Sequence, residues 1–92
     1  MFYLLTYDVV ENYVERRAAF RDEHLKLATE YAERGILILG GALADPVDQA
    51  VLVFQADSPA PIEDFVERDP YVKQGLIRSY RIRPWTVVID SR

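Results

Sequence analysis

Hydrophobic positions recur along this chain with two different periods, and the changes of period mark out the elements. Phe2 to Val9 is dense in β-branched and aromatic residues and predicts a first strand. From Asn12 to Gly35 the spacing becomes helical. At ~100° per residue, Val14, Ala18, Phe20, Leu25, Leu27, Ala28, Tyr31 and Ala32 fall on one half of the wheel and mostly charged residues on the other. Asn12 is a good N-cap with Glu15 at capping-box spacing, and Gly35 is a C-terminal stop. Ile36 to Leu39 is a short, wholly apolar strand that runs into Gly40-Gly41. Asp45-Pro46-Val47-Asp48 marks a turn, and Ala50 to Gln55 predicts a third strand. Ser58-Pro59-Ala60-Pro61 opens a second helix that buries Ile62, Phe65 and Val66. It ends at Asp69-Pro70, because the residue before proline is pushed out of the α region. Tyr71 to Leu76 reads as a connecting turn, Ile77 to Arg83 as a fourth strand, and Trp85 to Ile89 as a fifth beyond a kink at Pro84.

The order β-α-β-β-α-β predicts an α+β, ferredoxin-like split βαβ fold, with an antiparallel sheet carrying both helices on one face. The second and third strands are apolar at consecutive positions, a pattern that normally means cover on both sides. The chain offers no third helix as the second cover. Two sheets packed face to face, a homodimer, are therefore expected.

Composition narrows the function. Residues 1–92 suffice for one domain with a modest core. No apolar run approaches the ~20 residues of a membrane span, and the N-terminus reads as a strand rather than a signal peptide. A net charge of −4, with Lys and Arg scattered, argues against a nucleic-acid partner. The absence of cysteine excludes disulfides and thiolate metal sites and fits a reducing cytoplasm. One histidine cannot make the usual two-histidine metal site, so no metal is expected. Nucleophile-elbow, Walker and dinucleotide motifs are absent.

Three residues on the long helix do not belong on an apolar face: Arg17, Arg21 and His24. Burying an unpaired charge costs several kcal/mol, so they need partners, water or a ligand. Spacing alone favours a structural imidazole satisfied by one hydrogen bond, and snorkelling arginines whose tips reach water. The alternative is a pocket in which His24 moves a proton at neutral pH. Asp69, held on the stiff Asp69-Pro70-Tyr71 segment, either fixes the tautomer of His24 or simply ends a helix. Asp8 is a further carboxylate for the same cavity, or a turn residue. Gly40-Gly41 lets backbone approach a ligand, or makes a plain turn.

Taken together, Arg17-x3-Arg21-x2-His24-Leu25, Gly35-x-Leu37, Gly40-Gly41, Asp69-Pro70-Tyr71-Val72, Gly75-Leu76 and Arg83-Pro84-Trp85 resemble the YCII-related family over almost the whole chain. The resemblance implies a single YCII-like domain, a small dimeric α/β barrel similar in fold to muconolactone isomerase. It also implies an active site built from His24 and Asp69, with lyase- or dehydrochlorinase-like chemistry on small cyclic or aromatic-derived compounds. Many family members carry proline after the glycine pair, where Ala42 stands here, so pocket shape is the point of departure. The expectation is a cofactor-independent acid–base enzyme, lyase or isomerase in type. His24 and Asp69 would be catalytic, and Arg17, Arg21, Gly41 and Tyr71 would bind a small acidic or aromatic-derived metabolite. The alternative is a non-catalytic binding or accessory module using the same pocket. Haem on His24 is disfavoured, because a chain this short has little with which to enclose the ring.

Overall fold

Strict alternation in β1 (Phe2–Val9) sends Tyr3, Leu5, Tyr7 and Val9 to one side, all buried, and Phe2, Leu4, Thr6 and Asp8 to the other. The computed structural model describes residues 1–92. β1 lies at the centre of a four-stranded sheet with β2 (Leu37–Ala42), β3 (Gln49–Gln55) and β4 (Ile77–Trp85), in the order β2-β3-β1-β4. Every neighbouring pair is antiparallel. Helices α1 (Tyr13–Arg17) and α2 (Arg21–Glu33) join β1 to β2, and α3 (Ala60–Arg68) and α4 (Pro70–Lys73) join β3 to β4. This is the expected α+β, ferredoxin-like arrangement.

The core lies between the sheet and the helices. Leu5 of β1, Leu52 and Phe54 of β3, Tyr31 of α2, and Ile62, Phe65 and Val66 of α3 form one buried cluster. Each such side chain contributes about 1.5–3 kcal/mol by leaving water. β3 has apolar residues on both faces: Ala50, Leu52 and Phe54 are buried, whereas Val51 and Val53 are only half-buried. On that second face Leu4 and Val53 stand opposite one another, Leu39 lies beside Val53, and no helix covers them.

Five sequence expectations change. The long helix is broken at Ala18–Phe20, where the Phe20 N–H donates to the Arg17 carbonyl at 2.9 Å and Phe20 leaves the helical region. Ala18 and Ala19 are strong helix formers, so the cause is tertiary. A straight helix from Tyr13 to Arg34 would run ~33 Å, whereas β1, along which it must return, spans only ~26 Å. Breaking the helix keeps Tyr13 on the core instead of overshooting it. Asn12 sits in the left-handed region at φ 63°, without a side-chain cap, so the capping box does not form. The glycine pair lies within β2 rather than in a turn after it, and Tyr71 belongs to the short helix α4. No fifth strand exists. β4 runs through Pro84 to Trp85, which an edge strand tolerates because the missing N–H faces outward.

Candidate active site

Proline 70 decides the position of Asp69. It holds Asp69 extended (φ −67°, ψ 117°), so the residue ends α3 and caps α4, its Oδ1 accepting the Tyr71 N–H at 3.0 Å. The Asp69 side chain is fully buried. Its Oδ2 accepts the Tyr7 hydroxyl at 2.8 Å, and its Oδ1 lies 2.9 Å from His24 Nδ1. A buried carboxylate is tolerable only when its oxygens are occupied, and here both are. Asp69 thus ends one helix, caps the next and lies within hydrogen-bond distance of His24.

His24 lies near the start of α2, with its side chain 16% exposed. Its ring stacks on Tyr71, centres 3.9 Å apart and planes 7° from parallel. Because Oδ1 already accepts the Tyr71 amide, an ionised Asp69 requires His24 Nδ1 to donate, which places the imidazole proton there by network assignment. Nε2 has no protein partner. No buried polar side-chain atom lacks one, so Nε2 is open.

The opening is a cavity of about 210 Å³ between the α1–α2 segment and the β2–β3 half of the sheet. Arg17, Arg21, His24, Gly41 and Tyr71 all line it. Asp69 does not; it stands behind His24. The helix break does not separate the arginines from His24. Neither Arg17 nor Arg21 pairs with a carboxylate, unlike Arg68 and Arg92. The Arg17 guanidinium lies 5.2 Å from the centre of the Tyr13 ring. Gly40 packs against the core rather than a ligand: a Cβ there would come within 3.2 Å of the Leu52 side chain. Asp8 is excluded. It projects from the opposite face of the sheet, where it accepts from Gln49 at 2.8 Å and from Ser79 at 2.8 Å.

Sequence reasoning missed Tyr7 and Tyr13, which also line the cavity. For Tyr7 the signal was present, since the two-residue period that buries Leu5 also turns Tyr7 inward. Tyr13 stands one turn before Arg17, and its ring meets that of Tyr71 edge-on at 5.7 Å. Burial, and then the Asp69 charge, hold the Tyr7 phenol far above its ordinary value. Burial also raises Tyr71, and raises Tyr13 against an opposing pull from Arg17. All three are therefore neutral donors at physiological pH.

A raised acid contributes stability that is complete below its unfolded value and drains as pH climbs toward the folded one. Stability should therefore fall above pH ~10 by about 1.4 kcal/mol per unit for Tyr7 alone. Urea melts between pH 8 and 11 should show this decline, and it should be shallower in Tyr7→Phe. An equal slope in both would place the loss elsewhere.

The sequence profile of the YCII-related domain matches residues 1–86. No curated protein sequence matches the chain significantly. Among solved structures, a 5-chloro-2-hydroxyhydroquinone dehydrochlorinase from Burkholderia phenoliruptrix AC1100, complexed with 2,5-dihydroxybenzoquinone, is similar. Its TM-score is 0.78 and its identity 20%, with 94% of each chain covered. A NIPSNAP family protein from Agrobacterium tumefaciens C58 gives a TM-score of 0.57 at 17% identity, covering 89% of this chain and 87% of that one. A NIPSNAP domain protein from Burkholderia xenovorans gives 0.54 at 16%, covering 97% and 98%. At these identities the likenesses establish the fold alone. The profile match is of another kind: it runs from the first residue through β4 and takes in both the helix that carries His24 and the Asp69-Pro70 segment, so the chain belongs to the YCII-related domain family.

Proposed function

We propose that this protein is a cofactor-independent acid–base enzyme acting on a small, anionic, ring-sized metabolite by elimination or isomerisation. One observation carries the reading: an imidazole backed by a buried carboxylate presents its free nitrogen to a cavity that also holds two arginines without acidic partners. The cavity, about 210 Å³, is below the ~300–1,000 Å³ typical of drug-sized ligands. A single ring with its substituents suits it.

In the proposed reaction Nε2 of His24 takes a proton from a substrate carbon or oxygen. Asp69 remains a carboxylate and supports the imidazolium that forms. The electron pair released from the broken bond collapses into a double bond. In an elimination a leaving group departs with its own pair; in an isomerisation the imidazolium returns the proton at another atom. Arg17 and Arg21 hold the substrate's anionic group and stabilise the enolate- or phenolate-like oxygen. The structurally similar dehydrochlorinase, bound to a dihydroxybenzoquinone, supports ring compounds as first probes.

Titration of labelled protein with 2,5-dihydroxybenzoquinone and simple aromatic acids should move the His24 side-chain resonances. Arg17→Ala or Arg21→Ala should weaken that binding about tenfold, the worth of a charge-assisted contact. Saturable binding with no product from any ligand would favour a binding or accessory module, and unchanged resonances across the panel would contradict both.

The same proposal includes a homodimer through the helix-free sheet face of Leu4, Leu39, Val51 and Val53, which the C-terminal segment borders on one side. Sedimentation equilibrium should give twice the 10.6 kDa chain mass, and Val53→Asp should shift it to the monomer. A monomeric wild type would end this part. No helix is long and apolar enough to cross a membrane. The cysteine-free composition makes the cytoplasm the compartment we propose.

A further inference from the structure

His24 is useful as a base only when its proton sits on Nδ1 and the lone pair on Nε2, and nothing in an isolated imidazole enforces that choice. Asp69 enforces it while both carboxylate oxygens act purely as acceptors. Oδ1 is occupied by the Tyr71 amide and His24. Oδ2 depends on a single donor, the Tyr7 hydroxyl at 2.8 Å, which reaches it from the central strand across 62 positions of sequence. We infer that Tyr7 is the positioning residue of this site: its hydroxyl keeps Asp69 an acceptor at both oxygens and thereby fixes His24 in the tautomer with Nε2 free. The inference rests on the acid–base reading of His24 and names the residue that makes that reading work.

Chemistry specifies what happens without the hydroxyl. Oδ2 is left buried with no donor, which disfavours the anion against the neutral acid, and a proton taken from solvent settles on Oδ1, the oxygen with an acceptor before it in His24 Nδ1. The neutral acid then donates through Oδ1 to His24 Nδ1, and the imidazole proton moves to Nε2, where it occupies the lone pair the reaction needs. Burial and the Asp69 charge hold the phenol protonated, so Tyr7 is a fixed donor and not itself a base. The raised phenol is a consequence of this geometry and not a separate argument.

The test is the nitrogen NMR spectrum of the His24 ring, followed across a pH series so that the neutral form is read. Wild type should show Nδ1 protonated and Nε2 bare. Tyr7→Phe should lower the ratio of that tautomer to the other by about tenfold, the worth of one hydrogen bond to a charged group. Replacing Tyr7 with 4-fluorophenylalanine fills the lost volume without a donor and should behave like Tyr7→Phe. Replacement with 4-aminophenylalanine returns a donor and should restore the wild-type ratio. This pair also decides the matter if Tyr7→Phe does not fold. A wild type carrying its proton on Nε2 would overturn the acid–base reading itself. A correct wild type whose tautomer is indifferent to the donor at position 7 would overturn only the role of Tyr7.

Discussion

His24→Ala should lower turnover of a confirmed substrate by about 100- to 10,000-fold, the usual contribution of a positioned general base. The fold should survive, because Asp69 keeps the Tyr7 hydroxyl and the Tyr71 amide as donors when the imidazole is gone. The lost stacking on Tyr71 is worth only about 0.5–1.5 kcal/mol. Steady-state kinetics beside a thermal melt separate the two effects. A loss of turnover below about threefold would retire His24 from the chemistry, since no general base is worth so little.

The second large effect is expected at Asp69. Asp69→Asn preserves size, and with its oxygen in the Oδ1 place it still accepts from the Tyr71 amide and His24 while its NH2 donates to the Tyr7 hydroxyl; what it removes is the negative charge that supports the imidazolium. Where a carboxylate supports a histidine base, replacing it by the amide costs up to about 10,000-fold in turnover, and a large fall is expected here with a modest change in melting temperature. Asp69→Ala should do more damage to the fold. It leaves the Tyr7 hydroxyl and Tyr71 amide buried without an acceptor at about 1–3 kcal/mol each, against a total stability of about 5–15 kcal/mol. Asp69→Asn with near-native turnover would show that Asp69 is only a helix cap.

Much of this was legible in the sequence because local signals and tertiary demands agree. The two-residue period of β1 and the proline-marked start and end of α3 give the βαββαβ order directly. His24 stood out because an imidazole on an apolar helical face requires an explanation, and Asp69 because Pro70 stiffens it. Other features failed for identifiable reasons. The break at Ala18–Phe20 has no local signature; it follows from the mismatch between a long helix and a short sheet. Asp8 and Tyr7 are neighbours in one strand, so the alternation that brings Tyr7 to the site carries Asp8 to the opposite face. Attention to charge singled out the wrong member of that pair. Pro84 suggested a kink only because the edge position of β4 is a property of the whole sheet.

The site also shows how a chain this small can hold a carboxyl group out of water. No second charge is buried beside it; instead a phenol, an amide and an imidazole each contribute one donor from a different element, β1, α4 and α2. The arginines stay at the cavity, where, under the proposed function, an incoming anion would complete their pairing. Under the same proposal, binding energy is reserved for substrate rather than spent within the fold.

The most direct measurement is a crystal structure with 2,5-dihydroxybenzoquinone or a bound aromatic acid. The account predicts the ring inside the cavity, a reacting atom within about 3.2 Å of His24 Nε2, and an anionic oxygen on the guanidinium of Arg17 or Arg21. A ligand seated elsewhere, or His24 turned away from Asp69 with Nε2 bonded to protein, would contradict it.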